Sequence, residues 1–505
     1  MTEVLLTGQD IVVRGAPQPA ELKELGARWS PKLGAWTLPA TALNAKLVGT
    51  ILPGAPPVSV DLSAPPVVGD LRLYEYQRRA ADRLVAAPHG QIAVISPGLG
   101  KTAIAVAAAD ACVPAGERAV VLAPSSLLRT WEREVQKWAR VPGDVYVMDG
   151  PPDFEAARGA RWIVTSWDRG TRDPELWGRG WPVLVLDESV LAKSRRSKRF
   201  AHLAKMRKSF ERVWLLSGSP TTRYNDDMWA QLHLVWPRAF SSYWRFAQRY
   251  TVVEETPWAR TVTGNRTGVS PAEDYPDLVT VINQEDVLEL PEYLFEPPVE
   301  VRLAGRQARE YARMQKDFVA ELGNGTEVIA ANEIARLTQL QKMASWFGGE
   351  SAKRDALVDI IQDYEPPYLI WTHWRETSHG LALHLPGSRY VDGSTPLKDR
   401  DRDLEAFKAG EFDTLILSLG VGKFGHTFTD VRTIFYVDTT WNADDYFQSL
   451  HRVRRIGLKH RPVVVPIIAA GTTDELARDN LEGKLGGISA VTKSQLSTLL
   501  KGLGR

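Results

Sequence analysis

Short apolar runs recur in two stretches of the chain, and each run leads through a loop into a segment with helical spacing. Continuous apolar strands that alternate with helices are typical of a parallel sheet covered on both faces. The pattern predicts two α/β lobes, the first over residues 70–235 and the second over residues 351–485. The first stretch contains QIAVIS (91–96), RAVVLA (118–123), RWIVTS (161–166), PVLVLD (182–187) and RVWLLS (212–217). The second contains YLIWT (368–372), DTLILSL (413–419), TIFYVD (433–438) and PVVVPII (462–468).

The segments outside these stretches predict four smaller parts. In residues 1–50, PAELKELGA has helical spacing and RWSPKLGAWTLP predicts two short strands around a turn, so we expect a small N-terminal α+β module. Residues 51–69 are rich in proline and nearly free of charge, which is typical of a linker. Aromatic-rich helical stretches over residues 236–350 predict a helical insertion between the lobes. Residues 486–505 form the predicted C-terminal tail.

The composition of the chain indicates a folded protein but does not identify what it binds. The 505 residues carry a net charge of +1, so the simplest argument for nucleic-acid binding, a strongly basic domain, does not apply. Hydrophobic residues make up 44% and charged residues 24% of the chain, which is ordinary for a soluble globular protein. Cys112 is the single cysteine, so no intramolecular disulfide can form, and we expect a cytoplasmic protein without a membrane span or signal peptide.

The strongest chemical motif is SPGLGKT (96–102), between an apolar run and a helical segment. A strand, a Gly-rich loop, Lys-Thr and a helix make up a phosphate-binding P-loop. Gly98 and Gly100 let backbone N–H groups turn toward phosphates, and the helix N-terminus favours anions. We expect Lys101 to reach the β- and γ-phosphates of ATP and the Thr102 hydroxyl to bind Mg²⁺. An ordinary glycine turn before a helix is the alternative.

The second motif is the acidic pair at the end of PVLVLDES. Open α/β sheets place ligands at the carboxyl ends of their strands, which is where this run delivers Asp187 and Glu188. Asp187 is predicted to hold Mg²⁺, and Glu188 is predicted to orient and deprotonate the attacking water. Alone, the pair would more often be a helix cap, but its position downstream of the P-loop lysine favours the catalytic interpretation.

The third motif is QSLHRVRRIG (448–457), which presents two arginines three residues apart. This spacing predicts that Arg452 and Arg455 share one helical face. Arginines brought to a nucleotide from another lobe stabilise charge on the transferring phosphoryl group. A solvated basic helix is the alternative for a motif of this kind on its own.

In this order, the motifs resemble the Swi/Snf-type branch of the superfamily 2 helicases. The resemblance implies two RecA-like lobes, ATP and Mg²⁺ as ligands, and movement on duplex or forked DNA, with RNA as the other candidate partner. It also implies that Gln77 contacts adenine and that Ser125 lies in a DNA-backbone motif. The matching segments include LYEYQ (73–77), VVLAPSSLLRTWEREVQKW (120–138), TSWD (165–168), LLSGSPTTRYNDDMWAQLHLVWP (215–237), YLIWTHWRET (368–377) and SLGVGKFGHTFTDV (418–431). Residues 215–237 resemble motif III of the family, which implies that they couple hydrolysis to lobe movement.

Two branches of this family fit the sequence. ELGARWSPKLGAWTLP is similar to a reduced copy of the substrate-recognition module of annealing helicases of the HARP type, and Thr-Phe-Thr at 427–429 is similar to their motif V. The competing interpretation is a stand-alone member of a phage or bacterial type with its own role. Two further functions remain alternatives at this point: a strand-separating DNA or RNA helicase, and a nucleic-acid-binding module without catalysis.

Candidate nucleic-acid contacts lie in two segments. The first is the basic segment KSRRSKR (193–199), which could follow a phosphate backbone or could be a solvated surface loop. The second is the N-terminal module, where Trp29 and Trp36 could stack on exposed bases or could form the core of the module. The candidate residues in the basic segment are Lys193, Arg195, Arg196 and Lys198.

Overall fold

The computed structural model describes most of the chain as two compact units, one ending at Val287 and the other beginning at Leu288. The described residues are 2–16, 19–52, 72–140, 143–151, 153, 155–172, 177–178, 180–221, 224–317, 319–321, 327–329, 333–422 and 426–478. The predicted linker lies almost wholly outside these residues, and the predicted C-terminal tail lies outside them entirely. No helix of the described ranges has the length and apolar character needed to cross a bilayer.

The first unit begins with the predicted α+β module. An antiparallel sheet in the order β1-β2-β4-β3 packs on two helices. Its core is aliphatic, with Ile11, Val13, Leu22, Leu38 and Val48 at its centre. The elements are β1 (Glu3–Thr7), β2 (Asp10–Arg14), α1 (Pro19–Glu24), β3 (Arg28–Ser30), β4 (Ala35–Pro39) and α2 (Ala42–Ile51).

A seven-stranded parallel sheet forms the larger part of the first unit, in the order β13-β5-β10-β9-β6-β8-β7. Every residue of β5, β6 and β10 apart from Glu211 and Arg212 is buried, as expected for strands covered on both faces. The elements are α3 (Glu75–Ala86), β5 (Gly90–Ile95), α4 (Lys101–Cys112), β6 (Ala119–Ala123), α5 (Leu128–Trp138), β7 (Asp144–Met148), β8 (Ala160–Ser166), α6 (Trp167–Gly170), β9 (Trp181–Asp187), α7 (Lys198–Met206), β10 (Phe210–Ser217), α8 (Asp227–Val235), α9 (Tyr243–Tyr250), β11 (Thr251–Glu255), β12 (Arg260–Asn265), α10 (Pro271–Asp274), β13 (Val279–Ile282) and α11 (Gln284–Val287).

The module packs against this larger part of its own unit. Leu43 of α2 belongs to the same apolar cluster as Phe246 and Tyr275. The backbone N–H of Ala42, at the start of α2, lies close enough to the Asp277 carboxylate to lower its pKa. The module therefore shares a core with the sheet, and its attachment does not depend on the linker alone.

The second unit contains another parallel sheet, in the order β14-β22-β21-β18-β20-β19, with β15 also paired to β22. Ile370, Ile416, Phe435 and Val465 form the centre of its core. The elements are β14 (Leu294–Phe295), β15 (Val299–Val301), α12 (Gly305–Asp317), β16 (Val319–Glu321), β17 (Glu327–Ile329), α13 (Glu333–Ser345), α14 (Ala352–Ile360), β18 (Tyr368–Thr372), α15 (Arg375–His384), β19 (Arg389–Val391), α16 (Leu397–Lys408), β20 (Thr414–Ser418), α17 (Leu419–Gly422), β21 (Thr433–Tyr436), α18 (Ala443–Leu450) and β22 (Val463–Ala469).

The helical insertion predicted over residues 236–350 is divided between the two units. Strand β13 is an edge of the first sheet, whereas β14 and β15 pair with β22 in the second. The region also contains an antiparallel hairpin, β11–β12. Aromatic residues and helical spacing are the main features of the sequence in this region. Its strands are only two to six residues long, so they show too few alternations of apolar and polar residues to be predicted from the sequence.

Candidate nucleotide site

The loop between β5 and α4 has the backbone conformation that its glycines predict. Gly98 and Gly100 have φ of 87° and 80°, in the left-handed region that glycine adopts without a steric cost. A Cβ at Gly100 would lie 2.4 Å from Nε2 of Gln77, so packing also requires glycine there. Lys101 begins α4, and its Nζ lies 3.3 Å from the Ile95 carbonyl oxygen. Thr102 follows in the first turn, as the P-loop interpretation requires.

Gln77 of α3 makes a hydrogen bond to the backbone of this loop. Its Nε2 donates to the Leu99 carbonyl at 3.0 Å, and its Oε1 accepts from the Tyr74 N–H at 2.9 Å. The Tyr76 hydroxyl donates to the same Leu99 oxygen at 3.2 Å. The adenine contact of Gln77 thus stays a prediction, while the structure gives the side chain a bracing contact with the P-loop that the sequence did not reveal.

Asp187 ends β9 and is held by two tryptophans from distant segments. The Trp131 indole N–H donates to Asp187 Oδ2 at 2.8 Å. The Trp167 indole N–H donates to the Asp187 carbonyl oxygen at 2.9 Å. Both indoles are buried, so the carboxylate and its backbone are fixed together. These positioning residues were missed in the sequence, where the only signal was the recurrence of tryptophan inside the motifs.

Glu188 has a strained backbone. Its φ of 54° is the only positive value of a non-glycine residue in the described part of the chain. A positive φ costs free energy for any residue other than glycine, so it persists only where the surrounding structure imposes it. Such residues are common at active sites. With this conformation the chain leaves the extended path of β9 at Glu188. The next residue, Ser189, is fully buried.

Ser189 connects the acidic pair to the segment after β10. Its hydroxyl donates to Oε1 of Gln231 at 2.8 Å. Nε2 of Gln231 in turn donates to the Pro220 carbonyl at 2.5 Å. Gln231 is buried, so this link is shielded from water. It joins the acidic pair by hydrogen bonds to the segment that resembles motif III.

The acidic pair suits a divalent cation. Burial and, to a smaller extent, the neighbouring Glu188 charge raise the pKa of Asp187 to about 6, against the opposing effects of the Trp131 hydrogen bond and the Lys101 charge. A buried carboxylate beside a second acid is stabilised by added positive charge. Oxygen ligands such as Asp187 and the Thr102 hydroxyl are the kind that Mg²⁺ prefers. The donor set therefore fits the predicted metal.

The two arginines lie in the second unit, and the prediction that they share one helical face is wrong. Helix α18 ends at Leu450, so Arg452 and Arg455 lie in the turns that follow. Nη1 of Arg452 donates to the His426 carbonyl at 3.4 Å, and Nη1 of Arg455 donates to Thr427 Oγ1 at 2.6 Å. The two guanidinium groups therefore lie in one region because both contact the segment at His426 and Thr427, and not because they share a helical face.

The chain matches two known protein domain families. The SNF2-related domain matches residues 76–291, and the helicase conserved C-terminal domain matches residues 352–457. The chain belongs to the Swi/Snf-type branch of superfamily 2. The first match covers the P-loop and the acidic pair, and the second covers the two arginines.

Several Swi/Snf relatives are similar over most of this chain. YwqA of Bacillus subtilis, named for ATP-dependent helicase or translocase activity, is 26% identical over 396 residues, which is 72% of this chain and 42% of YwqA. The SWI/SNF-related regulator of chromatin subfamily A-like protein 1 of Xenopus tropicalis is 23% identical, covering 84% of this chain and 45% of its own length. The mouse DNA annealing helicase and endonuclease ZRANB3 is 24% identical, covering 75% and 37%.

The chain thus spans less than half the length of these curated relatives. Their identities differ by too little to select one branch of the Swi/Snf family. Among solved structures, the Sulfolobus solfataricus SWI2/SNF2 ATPase core in complex with dsDNA has a TM-score of 0.40 and 21% identity, covering 88% of this chain and 97% of that one.

The basic segment after the Swi/Snf acidic pair is partly committed to contacts within the protein. The Arg195 guanidinium lies 3.8 Å from the ring centre of Tyr243 and 5.6 Å from that of Trp244. Arg196 and Lys198 are exposed, whereas Lys193 is half-buried. Ser125 is also exposed, just beyond β6. The nucleic-acid contacts of these five residues stay predictions.

The tryptophans of the N-terminal module form a cross-strand pair. Trp29 and Trp36 are directly opposite in the β3–β4 register, with ring centres 5.6 Å apart in an edge-to-face arrangement. Trp29 is 52% exposed, and Trp36 packs on the edge of the aliphatic core. The module therefore has a core without Trp29, which leaves that ring available for contact with another molecule.

Proposed function

We propose that this chain is a DNA-dependent ATPase that hydrolyses ATP to move along double-stranded DNA. Remodelling, fork reversal and strand annealing are the outcomes that such movement serves. The observation that carries the proposal lies at the carboxyl ends of the strands of the first sheet, where a P-loop with two left-handed glycines adjoins a buried Asp187 and a strained, half-buried Glu188. The names of the curated relatives, which include a translocase and an annealing helicase, support the same activity.

Each residue of this site has a role in the proposed reaction. Lys101 neutralises the β- and γ-phosphates, and the helix N-terminus adds favourable potential. Thr102 and Asp187 would hold Mg²⁺, which supplies positive charge to the phosphate oxygens. Glu188 accepts a proton from the attacking water and fixes its direction. Arg452 and Arg455 stabilise negative charge on the transferring phosphoryl group.

Trp131 and Trp167 act as positioning residues in this mechanism. Their indole donors hold Asp187 by its carboxylate and by its carbonyl, so the metal ligand cannot turn away. Hydrogen bonds from Ser189 to Gln231 and from Gln231 to Pro220 connect the acidic pair to the segment after β10. Changes at the acidic pair would thereby reach the motif III segment, which couples hydrolysis to movement.

The test is the steady-state ATPase rate of the full chain against single-stranded, duplex, forked and RNA ligands. We expect duplex and forked DNA to stimulate hydrolysis and Lys101→Ala to abolish it with every ligand. A triplex-displacement assay run beside a strand-displacement assay then distinguishes translocation from strand separation. Hydrolysis that ignores duplex DNA, or that Lys101→Ala leaves near the wild-type rate, would overturn the proposal.

A further inference from the structure

The hairpin β11–β12 of the first unit ends in an exposed tryptophan. Trp258, between the two strands, is 94% exposed. Leaving so large an apolar ring in water forgoes the burial free energy that tryptophan normally provides in a folded protein. Tryptophan is enriched at contacts with other molecules, because its ring combines a large apolar surface with a polar N–H group.

Hydrogen bonds across the turn restrain the backbone on both sides of Trp258. Thr256 and Ala259 exchange backbone hydrogen bonds, with N···O distances of 2.8 and 3.3 Å, and the Thr256 hydroxyl also donates to the Ala259 carbonyl at 3.1 Å. Pro257, the first residue between them, has its φ fixed by its ring. Little backbone entropy remains to be lost when Trp258 binds a ligand.

The base of the hairpin is tied to the body of the first unit. The side-chain oxygen of Asn265 accepts from the backbone N–H of Asn225 at 2.7 Å. The Arg266 N–H donates to the Tyr250 carbonyl at 3.0 Å, and Arg266 Nε donates to the Thr251 carbonyl at 3.1 Å. Asn225 lies in the segment that resembles motif III. The hairpin is therefore anchored to the part of the protein expected to respond to hydrolysis.

Aromatic rings and guanidinium groups extend from the hairpin to the basic segment. Arg260 of β12 lies 5.6 Å from the ring centre of Trp244. Arg195 of the basic segment lies at the same distance from that ring and also covers Tyr243. These four residues and Trp258, here called the hairpin surface, combine stacking rings with positive charge. That combination is characteristic of surfaces that bind single-stranded nucleic acid.

A single ring among polar neighbours favours a base over a protein partner. Four of the residues that flank Trp258 in sequence are polar and exposed: Glu254, Glu255, Thr256 and Arg260. Protein interfaces concentrate their affinity in a packed apolar centre, whereas one ring is enough to stack on one base. The Glu255 charge is paired with Arg260 at 2.9 Å, which limits its repulsion of phosphates.

We propose that Trp258 stacks on an unpaired base at a junction between double-stranded and single-stranded DNA. Bases inside an intact duplex already stack on both faces, so the ring requires a base at a fork or a frayed end. The inference rests on the proposed function, because the ATPase motor would carry the hairpin to such junctions. The hairpin surface would then add a preference for forks to a motor that tracks the backbone.

The test uses the full chain as wild type, Trp258→Ala, Trp258→Phe and Leu383→Ala. Leu383 is the control because it is 83% exposed and is not part of the hairpin surface. One probe is a forked DNA with 2-aminopurine at the first unpaired nucleotide, and the other is a fully paired duplex of equal length. The quenching of 2-aminopurine fluorescence reports stacking, and titration gives Kd for each probe.

We expect Trp258→Ala to raise the ratio of fork Kd to duplex Kd by about 5- to 150-fold and to lose the quenching. Trp258→Phe keeps most of both, and Leu383→Ala matches the wild type. An unchanged ratio in Trp258→Ala, an equal loss on both probes, or a phenylalanine variant as weak as alanine would overturn the inference. If duplex DNA failed to stimulate the wild-type ATPase, the proposed function would fail instead, which the fork ratio does not measure.

Discussion

The two units each contain a turn from a parallel strand into a helix, and the two turns differ in what they bind. In the first unit, the turn from β5 to α4 has two left-handed glycines and presents Lys101. In the second, the N–H groups of His373 and Trp374, between β18 and α15, donate to Asp438 Oδ2 at 2.6 and 3.0 Å. Asp438 is buried and follows β21. The second turn thus binds an anion that the chain itself supplies.

The buried carboxylates repeat this difference. In the second unit, Asp474 is paired with Lys353, and both side chains are fully buried. In the first unit, the pKa of Asp187 is raised to about 6, because burial is not offset by a cation in hydrogen-bond contact. The buried carboxylate of the second unit is thus compensated by a cation of the chain, whereas that of the first unit would be stabilised by an added cation. This difference supports the proposed nucleotide site in the first unit.

The comparison is tested most strongly by an arginine of the second unit. If this unit contributes charge to the transition state, Arg455→Ala should leave ATP binding nearly intact and lower kcat by about 10³- to 10⁵-fold. Arg461→Ala is the matched control, since Arg461 is exposed. ATP affinity and single-turnover hydrolysis check the prediction, and an unchanged kcat would assign Arg455 to a structural role.

The internal ion pair of the second unit gives the next largest effect. Lys353→Met leaves Asp474 buried without its cation, so the free energy of unfolding should fall by about 3–5 kcal/mol. Adding Asp474→Asn removes the uncompensated charge and keeps an oxygen for the Ala469 N–H, which Asp474 accepts at 3.1 Å. Thermal melts of both variants should show the double variant to be the more stable; the opposite order would contradict a charge-compensating pair.

A smaller effect is expected at the indole that holds Asp187. Trp131→Phe removes the donor and leaves the ring, and loss of such a supporting hydrogen bond lowers metal affinity or activity by about 10- to 100-fold. Trp162→Phe is the control, because the buried Trp162 N–H has no hydrogen-bond partner among the described residues. Mg²⁺ titration of the ATPase rate checks this. Equal behaviour of the two variants would mean that Trp131 only fills space.

The smallest effect concerns the docking of the N-terminal module. Burial raises the pKa of Asp277 to about 6. Because the folded pKa exceeds the unfolded value near 3.9, Asp277 costs stability as pH rises from about 4 to 6. Asp277→Asn keeps an acceptor for Ala42 and should raise Tm over the wild type at pH 7.5 by more than at pH 4.5. The exposed Asp286→Asn variant should not show this pH dependence.

Local patterns predicted the parallel strands, the P-loop and the end of β9, because each depends on residues close together in sequence. The module's helix α1 and strands β3 and β4 were predicted for the same reason. The contacts of Trp131 and Trp167 with Asp187 join segments 56 and 20 residues apart, and periodicity gives no information about such pairs. The end of α18 at Leu450 was missed because the arginine spacing fits a helix equally well.

Substitution of Glu188 tests the central claim most directly. Glu188→Gln keeps the size of the side chain and the Asp187 ligand but removes the proposed base. With Mg²⁺ and duplex DNA present, we predict nearly unchanged Kd for ATP and a fall in kcat of about 10²- to 10⁴-fold. If hydrolysis stayed near the wild-type rate, or if ATP affinity fell as far as kcat, Glu188 would be a structural residue and the nucleotide site of the first unit would lie elsewhere.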